Sequence, residues 1–236
     1  MSADEPGLVL PDIRPFGEAA LLATWGDDVT LESVWRARAL AAALDRVRAR
    51  DRRWAVPIAT AASVLAPFDA LALDHAEAEA VLARLAAEVS GHGAGTDSGE
   101  PAEPAAILAP VMLPVRFGGA DGPDLAAVAR ELGATPDEVV RRLLEARLEV
   151  LFLGFAPGFA YCGPLPDDLV VPRLATPRRR VPAGSVAIAG RFAGAYPAAL
   201  PGGWRLLGRT DVRLFDPAAD PPAMLRPGRL VQLVPA

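Results

Sequence analysis

Apolar and polar positions along the chain change period several times, and those changes mark out the elements. Residues 13–25, IRPFGEAALLATW, are two apolar runs around a glycine turn and predict paired strands. Thr30 stands where it can cap a helix beginning at Leu31. In that helix Leu31, Val34, Trp35, Ala39, Ala42 and Val47 recur at roughly helical spacing, with Arg36, Arg46 and Arg50 on a solvated face. Residues 54–58 and 62–68 read as short strands. Asp74 then opens a second helix, with Glu77 at capping-box spacing, running to about Val89. Together these predict an α+β domain over residues 1–89, with both helices on one face of a sheet.

The pattern then breaks. Residues 90–104, SGHGAGTDSGEPAEP, hold only small, polar and helix-breaking residues, so a flexible linker is expected over 90–109. His92 falls in that linker as an exposed bystander, and His75, on the first turn of a capped helix, is expected at the surface.

Periodicity returns over residues 110–236. A strand is expected at 111–117, followed by a turn at Asp121-Gly122-Pro123-Asp124 that feeds a helix through Leu132. Thr135-Pro136-Asp137-Glu138 is a strong helix start, with proline in the first turn and Glu138 placed for a capping box. That helix should end near Glu145 or Arg147. Strands are expected at 150–155, 186–189, 204–209, 213–215 and 230–234. Many short strands with little helix predict a compact closed barrel. The fold class is therefore α+β: a small α+β domain followed by a β-barrel.

Composition narrows the chemistry. A net charge of −5 and a pI near 5.1 argue against nucleic acid or an anionic membrane as partner. No run approaches the length of a membrane span, and the N-terminus lacks the basic and apolar regions of a secretory signal. A single cysteine, Cys162, fits the reducing cytoplasm and excludes an internal disulfide. All 24 basic residues are arginine, so lysine-dependent phosphate loops, Schiff bases and Ser–Ser–Lys amidase triads have no material. With only His75 and His92, Ser–His–Asp catalysis and histidine-rich metal sites are equally short of it.

Residues 154–210 carry nine glycines and eight prolines interleaved with Phe155, Phe159, Tyr161, Tyr196 and Trp204. That density forbids a long helix, and the aromatics argue against disorder, which leaves short strands and shaped loops. Three features there suit a ligand. Pro157-Gly158-Phe159 with Tyr161 places a turn between two rings. Arg178, Arg179 and Arg180 precede Val181-Pro182-Ala183-Gly184-Ser185, where Gly and Ser amides with an arginine would suit a carboxylate or phosphate. Pro201-Gly202-Gly203-Trp204 supplies a glycine turn capped by indole, with Arg209 and Thr210 one strand away. Tight turns in a small barrel use the same residues, so these features alone do not separate a pocket from packing. Ser185 has no histidine or lysine in its half of the chain to activate it, so hydrogen bonding or packing is its expected role.

Taken together, Gly154-Phe-Ala-Pro-Gly-Phe159 with Tyr161, Pro172-Arg173, Pro177-Arg178, Val181-Pro-Ala-Gly-Ser185, Tyr196-Pro197 and Pro201-Gly-Gly-Trp204 resemble the family of 5-oxoprolinase B subunits. That family is also known as allophanate hydrolase subunit 1, or carboxyltransferase domain, subdomain A and B. The resemblance extends from Phe16-Gly17-Glu18 near the start to Leu225-Arg226-Pro227-Gly228. It implies that the barrel is cyclophilin-like and that the chain works with a cyclophilin-like partner of the C-subunit type and with a larger 5-oxoprolinase chain. Such a complex opens 5-oxoproline to glutamate at the expense of ATP, and this chain alone would be inactive.

Under that implication Phe159, Tyr161, Arg178, Ser185, Tyr196, Trp204 and Arg209 line or support a substrate pocket, with the arginines as anion partners. No catalytic residue is assigned, no metal or covalently bound cofactor is expected, and ATP enters only through the assembled complex. The alternative, also implied by the family, is a non-catalytic Kip-type regulator that binds a sensor histidine kinase. The family's pattern has polar residues where Leu143, Phe192, Ala193 and Leu200 stand, and PGFAYCG replaces its PGFPYLG. If those four positions face one pocket, losing each polar partner weakens recognition by about 1–3 kcal/mol.

Overall fold

The computed structural model describes residues 9–91 and 109–236. They fall into two compact units divided after residue 106. Most of the expected linker, with His92, lies outside the described residues.

In the first unit, strands β1 (Asp12–Pro15) and β2 (Ala20–Thr24) pair antiparallel around Gly17, whose φ of 70° suits only glycine comfortably. Helix α1 (Leu31–Arg48) starts in a reciprocal cap: the Ser33 amide donates to Thr30 Oγ1 and the Thr30 amide to Ser33 Oγ, both at 3.0 Å. Strands β3 (Ile58–Ala59) and β4 (Ser63–Pro67) complete an antiparallel sheet of order β1-β2-β4-β3. Helix α2 (His75–Gly91) is capped by Asp74, whose Oδ1 accepts the Glu77 amide at 2.8 Å.

Leu21 and Ala23 of β2 stand opposite Ala66 and Val64 of β4, so all four share one face. They form a single core with Leu40 and Leu44 of α1 and Leu82 and Leu85 of α2, which puts both helices on that face as expected.

Three expectations for this unit are corrected. The buried side of α1 is Val34, Ala37, Leu40, Ala43 and Leu44, while Trp35, Ala39 and Ala42 face outward. Alanine on both sides of the helix blurred the stripe, and the Trp35 indole instead lies under the Arg38 guanidinium, 5.2 Å from the ring centre. The strand expected at 54–58 reduces to a Trp54–Phe68 bridge and the two residues of β3. His75 is half-buried rather than exposed, its ring meeting Phe68 edge-on at 5.1 Å.

In the second unit, β5 (Val111–Phe117) leads to α3 (Leu125–Glu131) and α4 (Pro136–Glu145). The Thr135 hydroxyl caps α4 by accepting the Glu138 amide at 3.2 Å. The strands are β6 (Leu148–Leu153), β7 (Ala160–Gly163), β8 (Arg178–Val181), β9 (Ser185–Ala189), β10 (Phe192–Ala195), β11 (Leu200–Gly202), β12 (Arg205–Arg209) and β13 (Leu230–Pro235). Seven of them close a barrel in the order β10-β7-β6-β13-β5-β12-β9. All its pairings are antiparallel except β5 with β13. Strands β8 and β11 pair separately.

The strand expected at 213–215 is only a Phe215–Ala223 bridge, because prolines 217, 221 and 222 remove ladder donors next to it. Strands β7, β8, β10 and β11 were not anticipated as separate elements; each has three or four residues rich in glycine, proline or arginine.

Alternation along β9 divides the second unit's core in two. Val186 and Ile188 join Leu113, Val150, Cys162, Ala193 and Leu233 in a cluster that continues into α3 and α4 through Val128, Val139 and Leu143. Ala187 and Ala189, pointing to the other face of the strand, join Phe159, Val181, Tyr196, Trp204 and Leu206. Four of the expected site residues, Phe159, Tyr161, Tyr196 and Trp204, gather at this second, aromatic cluster.

Candidate functional site

After β6 the chain folds back on itself within three residues. The Ala156 amide donates to the Gly154 carbonyl at 2.8 Å, which closes a γ-turn with Phe155 at its centre. Phe155 has a φ of 69° and is the one non-glycine residue with positive φ among the described residues. The residue is 59% exposed, its ring edge-on to Phe159 and Tyr196. A bulky residue in this region is strained, and such strain persists where surrounding structure holds it.

The same turn directs Phe159 inward, where it is 1% exposed. Its ring meets Phe155, Tyr161, Tyr196 and Trp204 edge-on, with centroids 5.1–5.4 Å apart. Tyr161, half-buried on β7, stacks on Phe152 at 4.3 Å and has the edges of Phe192 and Trp204 at 5.8 and 5.4 Å. Gly194 on β10 makes room: a β-carbon there would lie 3.2 Å from both Phe159 Cζ and Trp204 Cζ3. Burial pushes both phenols to higher pKa, and the positive charge of Arg173 nearby opposes this.

Four of the seven expected site residues, Phe159, Tyr161, Tyr196 and Trp204, thus converge. Three of these four are core, and only Tyr161 reaches solvent, alongside Phe155 and Phe192. Arg178 borders the cluster, but its Nη2 donates to Asp124 Oδ1 at 2.7 Å and its Nη1 reaches the Trp204 carbonyl at 3.5 Å. Its charge is engaged within the chain.

Ser185 and Arg209 stand opposite each other on β9 and β12, and Arg209 also faces Arg116 of β5. The expected amide cradle is absent from this loop. The Gly184 amide donates to the Tyr196 carbonyl at 2.7 Å and the Ser185 amide to the Pro182 carbonyl at 3.3 Å. Among the described residues no group of three or more His, Cys, Asp or Glu side chains is placed to hold a metal.

The four polar-to-apolar positions do not face one pocket. Leu143 is on the buried face of α4 and Ala193 is inside the barrel, 1% and 3% exposed, whereas Phe192 and Leu200 flank the aromatic cluster. Ala160 and Cys162 also point into the barrel. The Cys162 thiol is pushed up to about 12 by its burial there.

Charge sets one stretch of the chain apart. Residues 169–210 contain seven arginines and no carboxylate, in a chain whose net charge is −5. Arg178, Arg191 and Arg205 find partners outside that stretch in Asp124, Asp167 and Glu131. Arg173, Arg179 and Arg180 are exposed and form no ion pair with a described carboxylate.

Sequence reasoning missed Phe155, Asp124 and Arg173 as site residues. Phe155 and Arg173 already stood in the motifs quoted, but nothing local to Asp124 distinguishes it from a turn residue.

Comparison with known proteins agrees with this architecture. The family described as carboxyltransferase domain, subdomain C and D, matches residues 11–225, so the subdomain pair is C and D rather than A and B. The B subunit of 5-oxoprolinase from Escherichia coli O157:H7 is 53% identical over 125 residues, covering 53% of this chain and 57% of that protein. The chain therefore spans about half the length of the curated relatives it matches. A solved structure of TTHA0988 superposes with a TM-score of 0.70 at 33% identity, over 92% of this chain and 40% of the other. A conserved uncharacterized protein of Pyrococcus horikoshii matches with a TM-score of 0.52 at 35% identity, over 95% and 97% of the two chains. The chain belongs to the carboxyltransferase domain family, subdomain C and D, alongside the 5-oxoprolinase B subunits it resembles.

Proposed function

We propose that this chain is the B subunit of a 5-oxoprolinase, a complex that opens 5-oxoproline to glutamate while hydrolysing ATP. The observation that carries this reading is the 53% identity to a protein named as the B subunit of that enzyme. The chain's part is binding and positioning. Its second unit has no histidine or lysine to activate Ser185, so the bond-breaking groups belong to other chains of the complex. Its partners are a cyclophilin-like chain of the C-subunit type and a larger 5-oxoprolinase chain, and ATP is consumed by the assembly.

The test is co-expression with candidates for those two partner chains, followed by assay of 5-oxoproline-dependent ATP hydrolysis. Turnover that requires all three chains supports the proposal. An assembled complex whose ATP hydrolysis ignores 5-oxoproline would sink it. Inhibition of a histidine kinase by the purified chain, without such turnover, would favour the regulatory alternative.

A further inference from the structure

We infer that the bulged middle of the β8–β11 ribbon is a docking site for a carboxylate-rich segment of a partner protein, with Arg179 and Arg180 as the residues that recognise it.

The first support is how the ribbon is built. Val181 stands opposite Leu200 and Arg178 opposite Gly202, so Arg179 and Arg180 of β8 face the single Pro201 of β11. An extra residue in one strand bends it and re-aims its side chains. Both arginines and Pro201 are exposed, whereas the ribbon is anchored on either side of them. At one end Val181 is 0% exposed and packs with Leu200 in the aromatic cluster. At the other, Asp124 holds Arg178 at 2.7 Å, and Gly202 lies so close to the Tyr196 phenol that a β-carbon would overlap it. The two arginines therefore stand on a fixed backbone, and binding orders little besides their side chains.

The second support is uncompensated charge. The exposed Arg84, Arg116, Arg141 and Arg213 each lie within 3.0 Å of a carboxylate. Arg179 and Arg180 form no ion pair with a described carboxylate, and residues 169–210 around them hold no Asp or Glu. A partner supplies what the chain does not.

The third support is the chemistry such a partner needs. Among the described strands β8 and β11 pair only with each other. A bulge, a proline and charge all discourage a further strand from adding to that edge, so the contact runs through side chains. A guanidinium offers two parallel N–H donors that match a carboxylate, and two adjacent guanidinium groups favour a segment carrying more than one. The chain's net charge of −5 opposes a long polyanion such as nucleic acid. A short acidic segment meets mainly the local cationic field, because salt screens the rest.

The test is fluorescence anisotropy on the full chain with a labelled peptide of alternating glutamate and glycine, its glutamine counterpart and a labelled oligothymidylate. At low salt the glutamate peptide should bind about tenfold tighter than the glutamine peptide, and added salt should erase the difference. Arg179→Gln/Arg180→Gln should remove that preference, with the circular dichroism spectrum unchanged because both side chains are exposed. The control Arg46→Gln/Arg130→Gln makes the same change in net charge elsewhere on the surface and should keep the preference. A preference that survives Arg179→Gln/Arg180→Gln or is lost equally in the control, no binding of the glutamate peptide, or tighter binding of the oligothymidylate would each overturn the site.

Discussion

Asp124 and Arg178 lie 54 positions apart and meet in an ion pair of 2.7 Å. The second oxygen of the same carboxylate accepts the Leu206 amide at 2.7 Å, and the Asp124 amide donates to the Leu206 carbonyl at 3.0 Å. One side chain therefore joins the start of α3, strand β12 and strand β8. Because Val181 at the other end of β8 packs into the aromatic cluster, this pair fixes the strand that borders the candidate site.

Asp124→Asn should destabilise the second unit by about 2–4 kcal/mol, because it leaves the Arg178 guanidinium without its charge partner in a largely buried setting. The aspartate side chain is 11% exposed and the arginine 29%, so solvent replaces little of the lost interaction. Arg178→Gln should cost a similar amount, and the double variant clearly less than the sum. Urea denaturation of the four proteins checks this, and additive losses would show that the two residues do not act as a pair.

This clamp marks where the chain's local pattern stops being informative. Helices α1, α2 and α4 were legible because Thr30, Asp74 and Thr135 announce their starts through contacts three residues away. The convergence of Phe159, Tyr161, Tyr196 and Trp204 was also legible, since Gly/Pro turns force such rings together. Strands β7, β10 and β11 were not, because three or four residues carry too short a period to read. The partner of Arg178 was hidden for another reason: a contact across so many residues leaves no periodic trace. The positions of Leu143 and Ala193 depended on that same tertiary arrangement, so their polar-to-apolar changes looked like pocket changes and proved to be core.

Gly194→Ala probes the seat of the aromatic cluster. The added methyl would lie 2.8 Å from the Ala160 carbonyl oxygen as well as against Phe159 and Trp204. Backbone cannot yield as a flexible side chain would, so a loss of about 1–3 kcal/mol is expected, with an altered near-ultraviolet circular dichroism spectrum. Gly154→Ala is the contrasting variant. Its methyl finds nothing nearer than 3.8 Å, and stability should be unchanged or slightly higher.

The alkaline limit of stability should come from few groups. The chain has no lysine, and its arginines do not titrate in the accessible range. Burial raises Cys162 to about 12 and also raises both tyrosines. Below pH about 8.5 the thiol is neutral in folded and unfolded chains alike, so it adds no pH dependence there. Above that the unfolded thiol ionises and the folded one does not, so stability falls as pH rises toward 12. Denaturation midpoints from pH 8 to 11 should decline, and Cys162→Ala should flatten the early part of that decline. The native thiol should also resist alkylation at pH 8 until the chain unfolds.

Phe155→Gly separates strain from packing. Deleting a buried ring of this size costs about 3–5 kcal/mol, but Phe155 is 59% exposed and contributes little core. Glycine adopts the φ of 69° without the clash a side chain makes, which releases about 1–3 kcal/mol of strain. Against this stands the greater freedom of a glycine in the unfolded chain, about 0.5–1 kcal/mol. The net expectation is a stability unchanged or raised by about 1 kcal/mol in urea denaturation. A gain in stability would show that the φ of 69° costs more than the contacts of the ring with Phe159 and Tyr196 return. A variant that loses stability by several kcal/mol would instead make Phe155 an ordinary packing residue.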